Sequence, residues 1–386
     1  MTPLEPVPAA RAAARSTQAE RVRLVELFVR LCEIESPSGD ERAMADAVIA
    51  ELRECGLEPE EDSSGASTGS NAGNVLARLP APEGAPTVLL CAHLDTVPLA
   101  GPVEVVEHEG MLSNRHAAIL GADNKAAVAV FLMLARRAAA EPPAVGIELL
   151  FTTGEEQALA GAKTIERSRL RADLGFVFDH AEDVGGLAVA APTYYRIEAT
   201  FLGQAAHAGI RPELGRNAIA AAALAVSRLR LGRLDERTTA NVGRIEGGSA
   251  ANVVAERCNV ELEARSIDDQ RADEVVVEMV DAMTEAATDA ECDVETHVEL
   301  MFRGYRLARS SPPVELALRA LESLGIEPQL GPSGGGSDAN VFNAAGLPCL
   351  NVANGTERNH QPDERVSRQA LETMLDVAVA LVEQPA

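Results

Sequence analysis

The sequence predicts an α/β protein: a mostly parallel sheet with helices on both faces, interrupted by a smaller α+β domain. Three observations predict it. Helical and strand-like stretches alternate from about Gln18 to Ala188 and resume after Tyr305. Stretch 87–92 is nearly all apolar, as a central strand buried on both faces is. Near Ala190 the order changes to strand, helix, two strands, helix, strand.

The elements follow in order. Residues 1–19 read as a frayed tail rich in Ala, Arg and Pro, without the apolar core of a secretory signal. Residues 21–34 carry apolar side chains at helical spacing, the turn residues 36–41 break the pattern, and 42–55 resume it. Residues 62–73 form a Ser/Gly/Asn loop before strands at 74–79 and 87–92. An Ala-rich helix over 123–139 stops at Pro142-Pro143, and strand, loop, helix and strand follow to Ala188. In the second domain, strands are expected at 194–202, 238–246, 252–267 and 292–300, with helices at 212–230 and 270–287. That order is the split βαβ, ferredoxin-like unit. A helix at 313–324, a Gly-rich loop, a strand and a last helix return to the first pattern. The expected boundaries are therefore 1–189, 190–303 and 304–386.

Length agrees with two domains, since 386 residues exceed what one core usually serves. The formal charge, 34 − 59 = −25, argues against nucleic acid or an anionic membrane as partner. No apolar run approaches a membrane span. Six dispersed cysteines without a C-x-x-C pair read as reduced thiols, which points to the cytoplasm.

Acid and imidazole side chains stand where the apolar strands run out: His93-Leu-Asp95, Gly154-Glu155-Glu156 and Asp179-His180. Gly121-Ala-Asp123 opens a helix, and Asn359-His360 follows the last strand. Ligands of open α/β sheets bind outside the carboxyl ends of the strands, so these groups converge. A His/Asp/Glu set without cysteine suits a divalent ion, zinc first, manganese or cobalt next. Asp95 stands where it can hold the free ring nitrogen of a ligating His93. Asp123 reads either as a helix N-cap or as a carboxylate bridging two ions. Adjacent Glu155 and Glu156 repel unless their roles differ, one ligating and one taking a proton, or unless they form a solvated turn. Asp179 is preferred to His180, because neighbours on a strand face opposite ways. Gly334-x-Gly336-x-x-Ala339 matches a dinucleotide fingerprint formally, but no clean βαβ unit surrounds it. A turn in which backbone crowds a ligand is the better account.

These motifs together resemble the dinuclear zinc aminopeptidase/carboxypeptidase/aminoacylase superfamily. The stretch from Gly203 through His207 to Ile219 is most similar to the peptidase T (tripeptidase) branch; His93-Leu stands where that branch often has His-Met. The resemblance implies a zinc-exopeptidase-like catalytic domain with an inserted lid that also forms a homodimer. It implies two ions bridged by Asp123, with His93 and Asp179 completing one site and Glu156 and His360 the other. Glu155 would be the general base and Asp95 the orienting group. His207 would reach a substrate carbonyl, in the same chain or across the dimer, and Asn252 and Arg265 would hold substrate oxygens. Read without the family, Arg265 is equally an ordinary ion pair at a strand end. The expected activity is amide hydrolysis in short peptides; a deacylase or carboxypeptidase with the same machinery is the enzymatic alternative. A metal-bound inactive homologue is the non-enzymatic one.

Overall fold

The structure, a computed structural model, describes residues 15–80 and 82–383. The chain divides into two compact units. The larger runs to Val189 and resumes over Leu307–Ser333 and from Ser337. The smaller comprises Ala190–Arg306 and Gly334–Gly336, its first segment ending three residues beyond the expected 303.

The larger unit is built on a sheet whose four central strands run parallel: Gly146–Thr152, Thr87–His93, Leu174–His180 and Cys349–Ala353. Val75–Leu79 and Gly186–Ala191 flank them antiparallel. The central strands are almost wholly buried, which explains their largely apolar sequence. The Ala122–Ala140 helix packs on the sheet and on the helices Gln18–Cys32 and Arg368–Glu383. Its alanines permit close approach, and Phe131 fills the middle, edge-on to Phe151 and Phe178.

Several expectations are corrected here. The tail does not reach Glu20: Thr17 and Glu20 form a reciprocal capping box, and Ser16 donates to buried Asp376 at 2.5 Å. Residues 1–14 lie outside the described residues. No α-helix joins Thr152 to Leu174; two short 3₁₀ turns, Ala162–Thr164 and Arg167–Arg169, replace it. A four-stranded sheet of Val105–His108, Met111–Asn114, Arg365–Ser367 and Thr356–Glu357 was not anticipated, nor was the Asp338–Ala344 helix.

The smaller unit is a five-stranded antiparallel sheet in the order Gly232–Asp235, Thr238–Gly247, Arg257–Ser266, Thr193–Leu202, Asp293–Phe302. The helices Ala218–Arg228 and Asp269–Asp289 pack on it, completing the ferredoxin-like arrangement. The expected helix at 212–230 is split: Pro212–Leu214 is a 3₁₀ turn, and Asn217 caps the true helix by accepting from Ile219 and Ala220. The strand expected from Asn252 begins at Arg257. Gly336 sits against Phe302, where a Cβ would come within 2.2 Å of the ring. That crowding, by the chain's own side chain, is the visible reason for one glycine of the Gly-rich loop. No helix among the described residues is long and apolar enough to cross a membrane.

Candidate metal centre

His93 ends its strand with the imidazole buried. Nδ1 lies 2.9 Å from the backbone carbonyl of Asp95 and 3.4 Å from its Oδ1. The carbonyl therefore accepts the Nδ1 proton, and Nε2 is left as a lone-pair donor. Nε2 faces Asp123 Oδ1 at 3.4 Å and Asp179 Oδ1 at 3.6 Å. Neither Nε2 nor Asp123 Oδ1 has a hydrogen-bond partner, although both are buried. Unpaired buried polar atoms are costly, and facing one another they mark a place for a cation.

Two clusters share His93: one with Glu155 and Asp179, the other with Asp123 and Glu156, their donor atoms within 4.8 Å of one another. His360 joins the second. Its Nε2 lies 2.8 Å from Glu156 Oε1 and 3.4 Å from Asp123 Oδ2. The donors are oxygen and nitrogen only, a set that fits divalent first-row ions. All five expected ligands thus stand together. Asp123 is no helix cap: Gly121 holds the cap position, and Asp123 and Asn124 have non-helical backbone angles. His180, half-buried, belongs to neither cluster.

The electrostatics of the metal-free site follow from crowding. Burial, with the charge of Asp123, pushes the Asp179 carboxyl up to about 8. Burial and Asp179 hold Glu155 well above the usual carboxylate range. Burial opposes the charge on Asp123, yet the facing His360 and His93 rings hold its carboxyl well below the usual carboxylate range. Asp123 and Glu156 raise His360 to about 10.

Asp95 does more than face His93. Its carboxylate accepts from the backbone N–H groups of Glu155 and Glu156, at 2.9 and 3.1 Å, and from Ser38 at 2.6 Å. Glu41 accepts from Gly154 at 3.0 Å and Asn74 from Thr153 at 3.1 Å. Four consecutive amides, 153–156, are therefore captured by side chains, which fixes the turn carrying both glutamates. Glu41, Asn74, Asn359, Asp338 and Glu364 were not singled out in the sequence. Glu364 lies four residues after His360, but its charged neighbours Asp363 and Arg365 read as a solvated run.

The remaining candidates lie in the smaller unit. His207 is exposed, and its Nδ1 accepts from the Gly209 amide at 3.2 Å. It caps no helix. His207 bridges Val253, and Ala208 donates to the Asn252 carbonyl at 3.0 Å, so His207 and Asn252 sit on paired segments. Arg265 stands at the other end of the Arg257–Ser266 strand, its guanidinium 4.1 Å from the Tyr194 ring centre and paired with Glu263 at 3.1 Å.

Paired nitrogen and oxygen clusters at the carboxyl edge of a parallel sheet define a candidate metal centre. Residues 89–384 match the pattern of peptidase family M20/M25/M40, and the chain belongs to that family. It is a metallopeptidase, a metal-dependent peptide hydrolase. The chain is similar to the solved aminopeptidase PepT of Bacillus cereus ATCC 10987: 35% identity, 94% of this chain and 98% of that one, TM-score 0.86. It is also similar to a tripeptidase of Staphylococcus aureus: 32% identity, the same coverages, TM-score 0.89. The uncharacterized Bacillus subtilis protein YqjE is 36% identical over 365 residues, 94% of this chain and 98% of that protein.

Proposed function

We propose that the chain is a cytoplasmic aminopeptidase of short peptides, tripeptides first, working with two divalent ions, zinc foremost. One observation carries the two-ion reading: the facing, unpartnered atoms His93 Nε2 and Asp123 Oδ1 lie where the two donor clusters meet. Asp123 would bridge, His93 and Asp179 would hold one ion, and Glu156 and His360 the other. Bound there, two cations supply Lewis acidity and make water a nucleophile at neutral pH. Glu155 accepts the proton of the attacking water and returns it to the leaving amine. Its turn is held by Asp95, Glu41 and Asn74, so the carboxyl keeps a fixed direction. The similarity to solved PepT and tripeptidase chains over 94% of the sequence supports the substrate class. Six free cysteines, five of them buried, support a reducing compartment.

The smaller unit supports a homodimer that shares its sites. Arg265 and the His207–Asn252 pair lie at opposite ends of one strand. The eight residue steps from Arg257 to Arg265 span ~26 Å at ~3.3 Å each, too far for one chain to grip a tripeptide with both. A His207 contributed by a second chain removes the difficulty. The Thr193–Leu202 strand cannot make the contact edge to edge, because it lies between two others. The Asp293–Phe302 strand has a free edge and exposes Val298 and Leu300, so it is the better dimer surface.

The test is purified protein refilled with zinc and given di-, tri- and N-acylated peptides, the products identified by mass. Release of the N-terminal residue from tripeptides is expected. Cleavage of N-acyl amino acids alone would replace this reading with that of a deacylase.

A further inference from the structure

Glu364 is 1% exposed and lies in none of the donor clusters. Its Oε2 accepts from the backbone N–H groups of Leu120 and Gly121, both at 2.8 Å, and its Oε1 from that of Asp123 at 2.9 Å. No ion pair holds it among the described residues. A buried carboxylate met by three amides is a strong, directional clamp, and here the clamped segment is the one that presents Asp123. The backbone needs the clamp, because residues 121–124 are not regular helix: Gly121 has φ +75°, and Asp123 and Asn124 leave the helical region. Amides at a helix start lack intrahelical partners, and here those of Leu120, Gly121 and Asp123 are satisfied by Glu364.

The same short loop acts on the Asp123 side chain. Asn359 Nδ2 donates to Asp123 Oδ2 at 2.8 Å, and His360 Nε2 stands 3.4 Å from that oxygen. Residues 359–364 therefore hold Asp123 twice: Glu364 by the backbone and Asn359 by the carboxylate. Between those two grips the loop delivers His360.

From this geometry we infer that Glu364 is a positioning residue: it locks the Asp123 segment to the His360 loop, so that bridging and terminal ligands approach the second ion as one body. The inference rests on the two-ion reading above. Groups that orient metal ligands typically change affinity ~10–100-fold when removed.

Glu364→Gln keeps the volume but turns an amide NH₂ toward backbone donors, and Glu364→Asp keeps the charge on a shorter arm. Zinc titrated calorimetrically into metal-free protein should show the second equivalent weakened ~10–100-fold in Glu364→Gln and the first changed far less. Glu364→Asp should recover part of the loss. Amide hydrogen exchange in metal-free protein supplies an independent readout. The Leu120, Gly121 and Asp123 amides should be protected in the wild type and exchange at least ~10-fold faster in Glu364→Gln, while amides of the 87–93 strand are unchanged. Wild-type affinity for both ions in Glu364→Gln overturns the positioning role. So does loss of exchange protection spread over the whole unit, since that marks general destabilisation. A wild type that binds one ion at most defeats the two-ion reading, and the exchange data then decide the clamp alone.

Discussion

At the scale of residues, the neighbours Glu155 and Glu156 carry opposite expectations. Glu155→Gln should abolish turnover, by 10²–10⁴-fold or more, with metal content nearly intact. Glu156→Gln should lower metal content first, measured by elemental analysis after dialysis. Exchanged phenotypes would reverse the assigned roles. Asp338 gives a pH test. It is fully buried below the site, accepts from Thr152 at 2.6 Å, and has one oxygen without a partner. Burial raises its carboxyl from 3.8 to about 6. A raised carboxyl stabilises the fold below its unfolded pKa, and that contribution is lost as pH rises through 6. Relative to wild type, metal-free Asp338→Asn should therefore gain on the order of 1 kcal/mol between pH 5 and 7, read by urea denaturation. A difference between the two proteins that stays constant over that range would remove Asp338 from the titration. Four of the five ligand candidates were legible because they follow an apolar strand end or open the helix beside it, and His360 stood out beside the turn after the last strand. Glu364 and Glu41 were not, because their partners are amides far away in sequence, and sequence alone does not reveal which carboxylate is buried.

At the scale of elements, the stretch between Thr152 and Leu174 is the instructive one. A helix was expected there, yet the chain folds back so that Gly161 donates to the Thr153 carbonyl and Asn74 holds both ends of the loop. A Cβ on Gly161 would come within 2.1 Å of that carbonyl and 2.5 Å of Asn74 Oδ1. Gly161→Ala should thus cost about 1–3 kcal/mol of stability and lower kcat by displacing the glutamate turn. A fully stable, fully active variant would show that the loop adjusts freely. The Ala-rich helix was legible from composition, but its irregular opening was not. Asp and Asn are poor helix formers, and at Asp123 and Asn124 the backbone leaves the helical region while Glu364 takes the Leu120, Gly121 and Asp123 amides.

At the scale of the whole molecule, the smaller unit raises the question of shared sites. Inactive His207→Ala and inactive Glu155→Gln chains, mixed and allowed to exchange, should regain about a quarter of wild-type sites if His207 acts across a dimer whose chains pair at random. Persistent inactivity in verified mixed dimers would return His207 to its own chain. Introducing lysine at Val298 and Leu300 should shift the protein toward monomer in sedimentation if the Asp293–Phe302 edge forms the dimer, and unchanged mass would move the interface to another surface.

By itself the sequence determined the class of fold, the insertion of the second domain and the five metal-binding candidates. Apolar periodicity and strand-end position are local properties, and they survive without coordinates. Only the tertiary structure decided which strand of the smaller sheet is central, that the Asp95 carbonyl meets the His93 ring while its carboxylate holds the glutamate turn, and that Glu364 supports Asp123. The strand order, the Asp95 grip on the glutamate turn and the Glu364 clamp depend on groups brought together over tens to hundreds of residues. Hydrogen-bond partners chosen by chain folding leave no spacing or composition signal for the sequence to display.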